Sequence, residues 1–203
     1  MNNEYFTLNS SVETEFVEKK SVFIGNGKSI NSQAEADEFI QMIRSKYHDA
    51  RHNVYAYKID NFEKYSDDGE PQGTAGIPII SIIQKKQINN CIIVVTRYFG
   101  GILLGAPGLV RAYTTTAVQT IDKAGIRQVK LHTRYKLTCS YQKYDKLVLI
   151  LSQIGLSPMN CQYGENIIFN VDVPSDSQEI FKYTIMDTYN LCDKIDEDIK
   201  YYK

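Results

Sequence analysis

Residues 91–96 read CIIVVT, and this run limits the folds open to the chain more than any other stretch. Five of its six residues are β-branched and none is charged. A half-exposed strand would alternate apolar with polar, so the run predicts a central strand buried on both faces. Such a strand needs cover on each side, and the flanking sequence offers it. Ser32 and Glu35 form a capping box ahead of a helical stripe of Ala36, Phe39, Ile40, Ile43 and Tyr47. Residues 77–83 predict a buried helix starting near Thr74, with Pro78 confined to its first turn. A third helix carries Val110, Tyr113, Ala117, Ile121 and Ala124 on one face, with Pro107 at its first position and Gly125 just past its end. Residues 12–18, 21–28 and 53–59 have the composition of further strands.

The pattern changes after Lys130. Residues 127–133 are expected to be a connector, followed by a strand over 134–142. Asp145 is positioned to cap a helix bearing Leu147, Val148, Leu151 and Ile154, which Gly155 stops. Residues 159–163 and 166–173 flank Gly164 and Glu165 as a hairpin. Ser175 and Gln178 make a second capping box, opening a helix with Ile180, Phe181, Thr184 and Ile185. Residues 193–202 complete the series as a strand. The order βαββαβ is that of the ferredoxin-like split motif. The expected fold class is therefore α+β in two domains, residues 1–130 and 131–203.

Composition removes several functions. The chain has 23 basic and 24 acidic residues among 203, a net charge of −1, so no global field draws it to nucleic acid or membrane. The two parts differ little, at +1 up to Lys130 and −2 beyond it. Cys91, Cys139, Cys161 and Cys192 lie far apart without ligand spacing, which predicts reduced thiols rather than disulfides or zinc. The N-terminal residues lack a basic segment followed by an apolar core, and no run is long enough to span a bilayer. A cytoplasmic protein with no resident metal or cofactor is expected, without sequence-specific DNA binding.

Two segments carry candidate chemistry. RYFGGILLGAPGLVRAY, residues 97–113, ends a strand on an arginine and two aromatics and then uses four glycines before a helix. One reading is an anion seat of backbone amides at a helix N-terminus, with Arg97, Tyr98, Gly100, Gly101, Gly105, Gly108 and Arg111 as binding residues. The other is a tight strand-to-helix crossing that needs glycine for packing and for positive φ. The common nucleotide-binding glycine motifs are absent. The second segment, SDDGE, supplies Asp67, Asp68 and Glu70, which suit Mg²⁺ or a general base, or else form a solvated turn. His52 is a candidate for proton transfer. It does not pair with His48 as a metal site, because the helix pattern fades between them, and His132 has no evident neighbour. Tyr135, Tyr141, Tyr163 and Tyr201 could share one sheet face for base stacking or serve as packing. The two segments are expected to converge on one cleft, with Arg97 paired to Asp67, Asp68 or Glu70.

Four stretches in order, KKSVFI, YHDARHNVYAYKI, YSDDGEPQGTAGIPI and IIVVTRYFGGILLGAPGLVRAY, resemble the IMPACT family and its two-domain bacterial, YigZ-like branch. The resemblance implies a first domain like the second domain of a small-subunit ribosomal protein and a second like a ferredoxin-like module of the translocating elongation factor. It implies a link to control of translation initiation, in which eukaryotic relatives use an additional N-terminal protein-binding domain. It brings no established reaction. The family usually has glycine where Pro107 stands, so this chain has one backbone donor fewer. The leading expectation is a non-catalytic, translation-associated protein contacting RNA, the ribosome or a ribosome-associated factor. The alternatives are a small hydrolase or transferase acting on a phosphorylated substrate, using Asp67, Asp68 and Glu70 with Arg97, and a protein–protein adaptor.

Overall fold

The computed structural model describes residues 3–188 and 191–202, with 186–188 described by backbone alone. It is a mixed α+β chain with two antiparallel sheets and five α-helices, in two compact units. One unit holds Tyr5–Gln128. The other runs from Val129 onward and includes the residues up to Glu4.

The first unit is built on a sheet of five strands in the order β2-β3-β6-β4-β5, every pairing antiparallel. These strands are β2 (Val12–Glu18), β3 (Ser21–Ser29), β4 (His52–Ile59), β5 (Phe62–Ser66) and β6 (Cys91–Tyr98). CIIVVT lies in β6, the middle strand, and is buried throughout. Its side chains alternate between two cores. Ile92 and Val94 meet Phe39, Ile40 and Ile43 of α1 (Gln33–Lys46), while Ile93 and Val95 meet α2 (Gly76–Lys85) and α3 (Gly105–Ala124). Each fully buried Ile or Val contributes about 1.5–3 kcal/mol, so sequestering both faces explains the uninterrupted apolar run.

Local signals act as their chemistry requires in some places and are overridden in others. The Ser32 hydroxyl accepts from the Glu35 amide at 3.2 Å, while the Glu35 carboxylate accepts from Asn31 N–H rather than from the cap residue itself. In α2, Pro78 is third, where its missing N–H costs no helical bond. α3 begins at Gly105, two residues before Pro107. Its buried face runs through Leu109, Ala112, Thr116 and Thr120, leaving Val110 exposed. The two threonines suit the core because their hydroxyls bond the carbonyls four residues back, each at 2.8 Å. β5 occupies sequence in which no strand was expected. It is an edge strand, so its FEKYS needs no alternation toward a core.

The second unit orders its elements as β7 (Ile126–Cys139), α4 (Tyr141–Gln153), β8 (Met159–Tyr163), β9 (Ile167–Pro174), α5 (Gln178–Lys182) and β10 (Lys194–Tyr202). β7 pairs with β9 and β10, and β9 with β8, all antiparallel. β1 (Glu4–Leu8), which the sequence pattern did not reveal, also pairs with β7. In β9, buried and half-buried residues alternate strictly, so one face alone meets the core of Leu147, Leu151, Phe169 and Phe181.

Four expectations are corrected here. The connector at 127–133 is strand, because β1 and β9 supply backbone partners that a local pattern cannot reveal. Helix α4 starts immediately after β7 with Ser140 at its N-cap, so Asp145 lies exposed within it. Ser175–Ser177 form a 3₁₀ turn before α5, and Gln178 donates to the Thr133 hydroxyl at 2.7 Å instead of closing a capping box. The four tyrosines do not share a face: Tyr135 packs in the core against Phe181, Tyr141 opens α4, Tyr163 is exposed on β8, and Tyr201 stacks on His132 at 6.0 Å.

Candidate functional site

The acidic loop after β5 distributes its carboxylates among three tasks. The N-cap position of α2 is Ala75, which has no side-chain acceptor for the helix's first amides. Asp67 supplies one from a distance. Its Oδ1 accepts from Ala75 N–H at 3.1 Å and Gly76 N–H at 2.8 Å, and its Oδ2 from Gly73 N–H at 2.8 Å. Negative charge at a helix N-terminus is further favoured by the macrodipole. Asp68 ties the loop to its neighbours, accepting from Arg44 Nη2 at 2.8 Å and from Asn53 N–H at 2.7 Å. The Asp68 carbonyl lies 2.8 Å from His52 Nδ1. A carbonyl can only accept, so Nδ1 carries a proton and Nε2 is left free of this contact.

Glu70 alone turns into the protein. Arg97, near the end of β6, donates from Nη1 to Glu70 Oε1 at 2.7 Å and Oε2 at 3.0 Å. Tyr113 of α3 donates its hydroxyl to Oε1 at 2.8 Å. The pair is deeply buried, with 8% and 3% of the two side chains exposed. Phe23 and Phe99 rings lie 5.4 and 5.7 Å from the guanidinium carbon. Burial, then the Glu70 charge, pushes ionisation of the Tyr113 hydroxyl well above its usual range. Removing two charges from water costs several kcal/mol per ion, which their attraction offsets only with well-placed hydrogen bonds. Arg97 is not fully provided for. Its Nε is buried without a partner.

A cleft of about 380 Å³ opens over this pair. His52, Glu70, Arg97 and Gly105 of the expected site residues line it, as do Arg51, Leu103 and Ala106. β4 and β6 place His52 directly across from Arg97, which explains their shared wall. Helix α3 presents its N-terminus here with Leu104 at the cap and no side-chain acceptor. The first amides of a helix have no intrahelical acceptor, and Pro107 has no N–H, so Gly105 and Ala106 are the open donors.

The remaining candidates, Gly105 apart, lie outside the cleft lining. The Tyr98 hydroxyl donates to Asp49 at 2.6 Å, which raises its pKa to about 12. Gly100 is a packing residue: a Cβ there would lie 2.0 Å from the Lys20 carbonyl carbon. Gly101 and Gly105 have φ of 82° and 69°, so the chain turns through conformations that favour glycine. Gly108 faces Leu104 within its own helix. Arg111 is not brought to Arg97, and lines a separate cavity of about 350 Å³ with Glu18 and Lys19. His48 is exposed beside Asp49. Among the described residues, no group of three or more His, Cys, Asp or Glu side chains is placed to hold a metal ion, and no helix is long and apolar enough to cross a membrane.

Sequence reasoning missed Arg51, Ala106 and the polar use of Tyr113. A phenol at a core position of a helix, where phenylalanine would pack as well, was the available signal for Tyr113. Nothing distinguished Arg51 from any other basic residue in a turn.

A family model described as the Impact N-terminal domain matches residues 19–121, the stretch that contains every residue of the cleft named above. The chain is 36% identical over 184 residues to the IMPACT family member YvyE of Bacillus subtilis (strain 168), covering 89% of this chain and 85% of that protein. It is 32% identical over 162 residues to the IMPACT family member YigZ of Escherichia coli (strain K12), covering 77% and 79%. A crystal structure of a hypothetical protein superposes with a TM-score of 0.66 at 27% identity over 97% of each chain.

Proposed function

Because this chain belongs to the IMPACT family, we propose that it is a translation-associated regulatory protein that works by binding RNA, the ribosome or a ribosome-associated factor in the cytoplasm. The link to translation control that the resemblance to this family implies supports the biological setting. The β7-α4-β8-β9-α5-β10 order, with β10 and β9 flanking β7, supports a ferredoxin-like assignment for residues 131–203. We assign residues 1–130 to a domain resembling the second domain of a small-subunit ribosomal protein. Both assignments are analogies of fold, and fold alone does not fix function.

The observation that favours binding over hydrolysis is the engagement of the acidic loop. The Asp67 carboxylate holds three backbone amides, and that of Asp68 holds Arg44 and Asn53. A hydrolase built on this pair would have to surrender the start of α2 and the join to α1. Sedimentation of the tagged protein with cell extract through a sucrose gradient tests the proposal. The protein is expected in ribosomal or polysomal fractions, and release by added salt would identify phosphate contacts. Absence from every ribosomal fraction overturns it.

A further inference from the structure

Arg97 is 6% exposed, and both of its hydrogen bonds leave from one nitrogen, Nη1. Its Nε is buried with no partner. The Nε–Nη2 edge of a guanidinium is the fork that matches two oxygens of a carboxylate or phosphate. Leaving Nε unpaired in a buried arginine carries the cost of an unsatisfied donor, and a ligand oxyanion would remove that cost.

Three further features stand in the cleft that Arg97 lines. The amides of Gly105 and Ala106 open α3 with no side-chain cap, a place where the dipole and free donors favour an anion. Arg51 lines the cleft without an ion pair or hydrogen bond among the described residues, and His52 stands beside it with Nε2 available. Glu70 is the one carboxylate in the lining, and Arg97 and Tyr113 already engage it. The charges of Arg51, Arg97 and Glu70 leave the lining net cationic.

The rest of the lining is largely apolar. Leu103, Leu104 and Leu109 line it, and Leu103 is 84% exposed. The cleft's volume, about 380 Å³, falls at the small end of the range for sites that bind whole metabolites. A bare oxyanion would leave the leucine wall uncovered.

The geometry points to a binding site for a small phosphomonoester of about nucleoside-monophosphate size. Its phosphate would lie between Arg97, Arg51 and the first amides of α3, and its organic body against the leucines. This goes beyond the translation proposal and does not depend on it: binding is measured on the isolated chain, whatever the gradient shows.

The test is titration of the full-length protein with inorganic phosphate, a nucleoside monophosphate and the corresponding nucleoside, by calorimetry and by ¹H–¹⁵N NMR. Phosphate and the monophosphate are expected to shift the Arg97 Nε–H and the Gly105 and Ala106 amides, with the monophosphate binding at least several-fold tighter than phosphate or nucleoside. Arg51→Ala, at an exposed position, should weaken the monophosphate by roughly tenfold or more, the loss of one charge-assisted contact. Arg97→Lys keeps a cation for Glu70 but removes the fork, and should abolish the phosphate-dependent shifts. If that variant does not fold, the Arg97 Nε–H resonance of the wild type answers the same question. No shift at these three groups at millimolar ligand overturns the proposal, as does binding indifferent to Arg51→Ala. Equal affinity for phosphate and monophosphate overturns the assignment of an organic body.

Discussion

Arg97, Glu70 and Tyr113 in the first unit repeat the chemistry of Arg134, Asp172 and Tyr201 in the second: a guanidinium and a phenol on one carboxylate. The second set is closed. Arg134 grips Asp172 with Nε at 2.7 Å and Nη2 at 3.0 Å, using the whole fork, and the Tyr201 hydroxyl bonds to both. About a quarter of the Arg134 side chain is exposed. The first set is more deeply buried, yet its arginine meets the carboxylate through Nη1 alone. Where water can reach the pair, the protein completes the fork internally. Where water is excluded, it leaves the arginine's Nε without a partner. The contrast separates an ion pair that joins two strands from one with capacity to spare for a ligand.

The largest effect should come from deleting the two carboxylates in turn. Glu70→Ala strands Arg97 in a buried site and should cost about 3–5 kcal/mol. Asp172→Ala leaves Arg134 partly hydrated and should cost about 1–2 kcal/mol. Urea denaturation of both variants measures the difference, and equal losses would break the comparison.

Next comes the loop that delivers Glu70. Asp67→Ala removes the acceptor of three amides and should destabilise by about 2–3 kcal/mol, with Asp67→Asn recovering part of it. A loss of more than that for Glu70→Ala, by the same denaturation assay, would identify the buried pair rather than the α2 cap as the loop's main anchor.

The turn after β6 sharpens the contrast further, since Phe99 covers Arg97. A methyl at Gly100 has no room beside Lys20, so Gly100→Ala should cost about 1–3 kcal/mol. Gly101→Ala has open space but a positive φ, and should cost about 1 kcal/mol by thermal melting.

The smallest effect is in the phenols. Both tyrosines ionise above their ordinary value of 10.0, chiefly through burial. A phenol with a raised folded-state pKa contributes stability that is complete below its unfolded pKa and is lost as pH rises toward the folded one. Tyr113→Phe should cost about 1 kcal/mol at neutral pH and flatten the decline in stability above about pH 10. Tyr201→Phe should do both more weakly. Urea melts across the alkaline range compare them.

The parts of this fold that were legible in the sequence are those whose causes are local. CIIVVT announces burial on both faces, Ser32 and Glu35 announce a helix start, and Gly125 and Gly155 mark the stops. The parts that were not legible depend on distant partners. β1 and β5 are strands because another strand offers its backbone, and FEKYS shows no core-facing alternation. The start of β7 resembled a connector for the same reason. At the site, the sequence placed Arg97 near three acidic residues but could not choose among them. The choice of Glu70 follows from where α2 begins, since its uncapped amides take Asp67, and from the position of Arg44, which takes Asp68.

The pairing of β1 with β7 has a consequence for how the chain comes into being. Asn3 accepts from the Leu131 amide at 2.8 Å, and Asn9 donates to Gly125 at 3.0 Å, contacts between residues more than 110 positions apart. During synthesis at about 5–20 residues per second, β1 is therefore made on the order of ten seconds before β7. The β2–β6 sheet can close in that interval, because all of its strands precede Gly105. β1 can therefore take up its contacts with Ile88, Asn89 and Asn90 before the strand it pairs with is made.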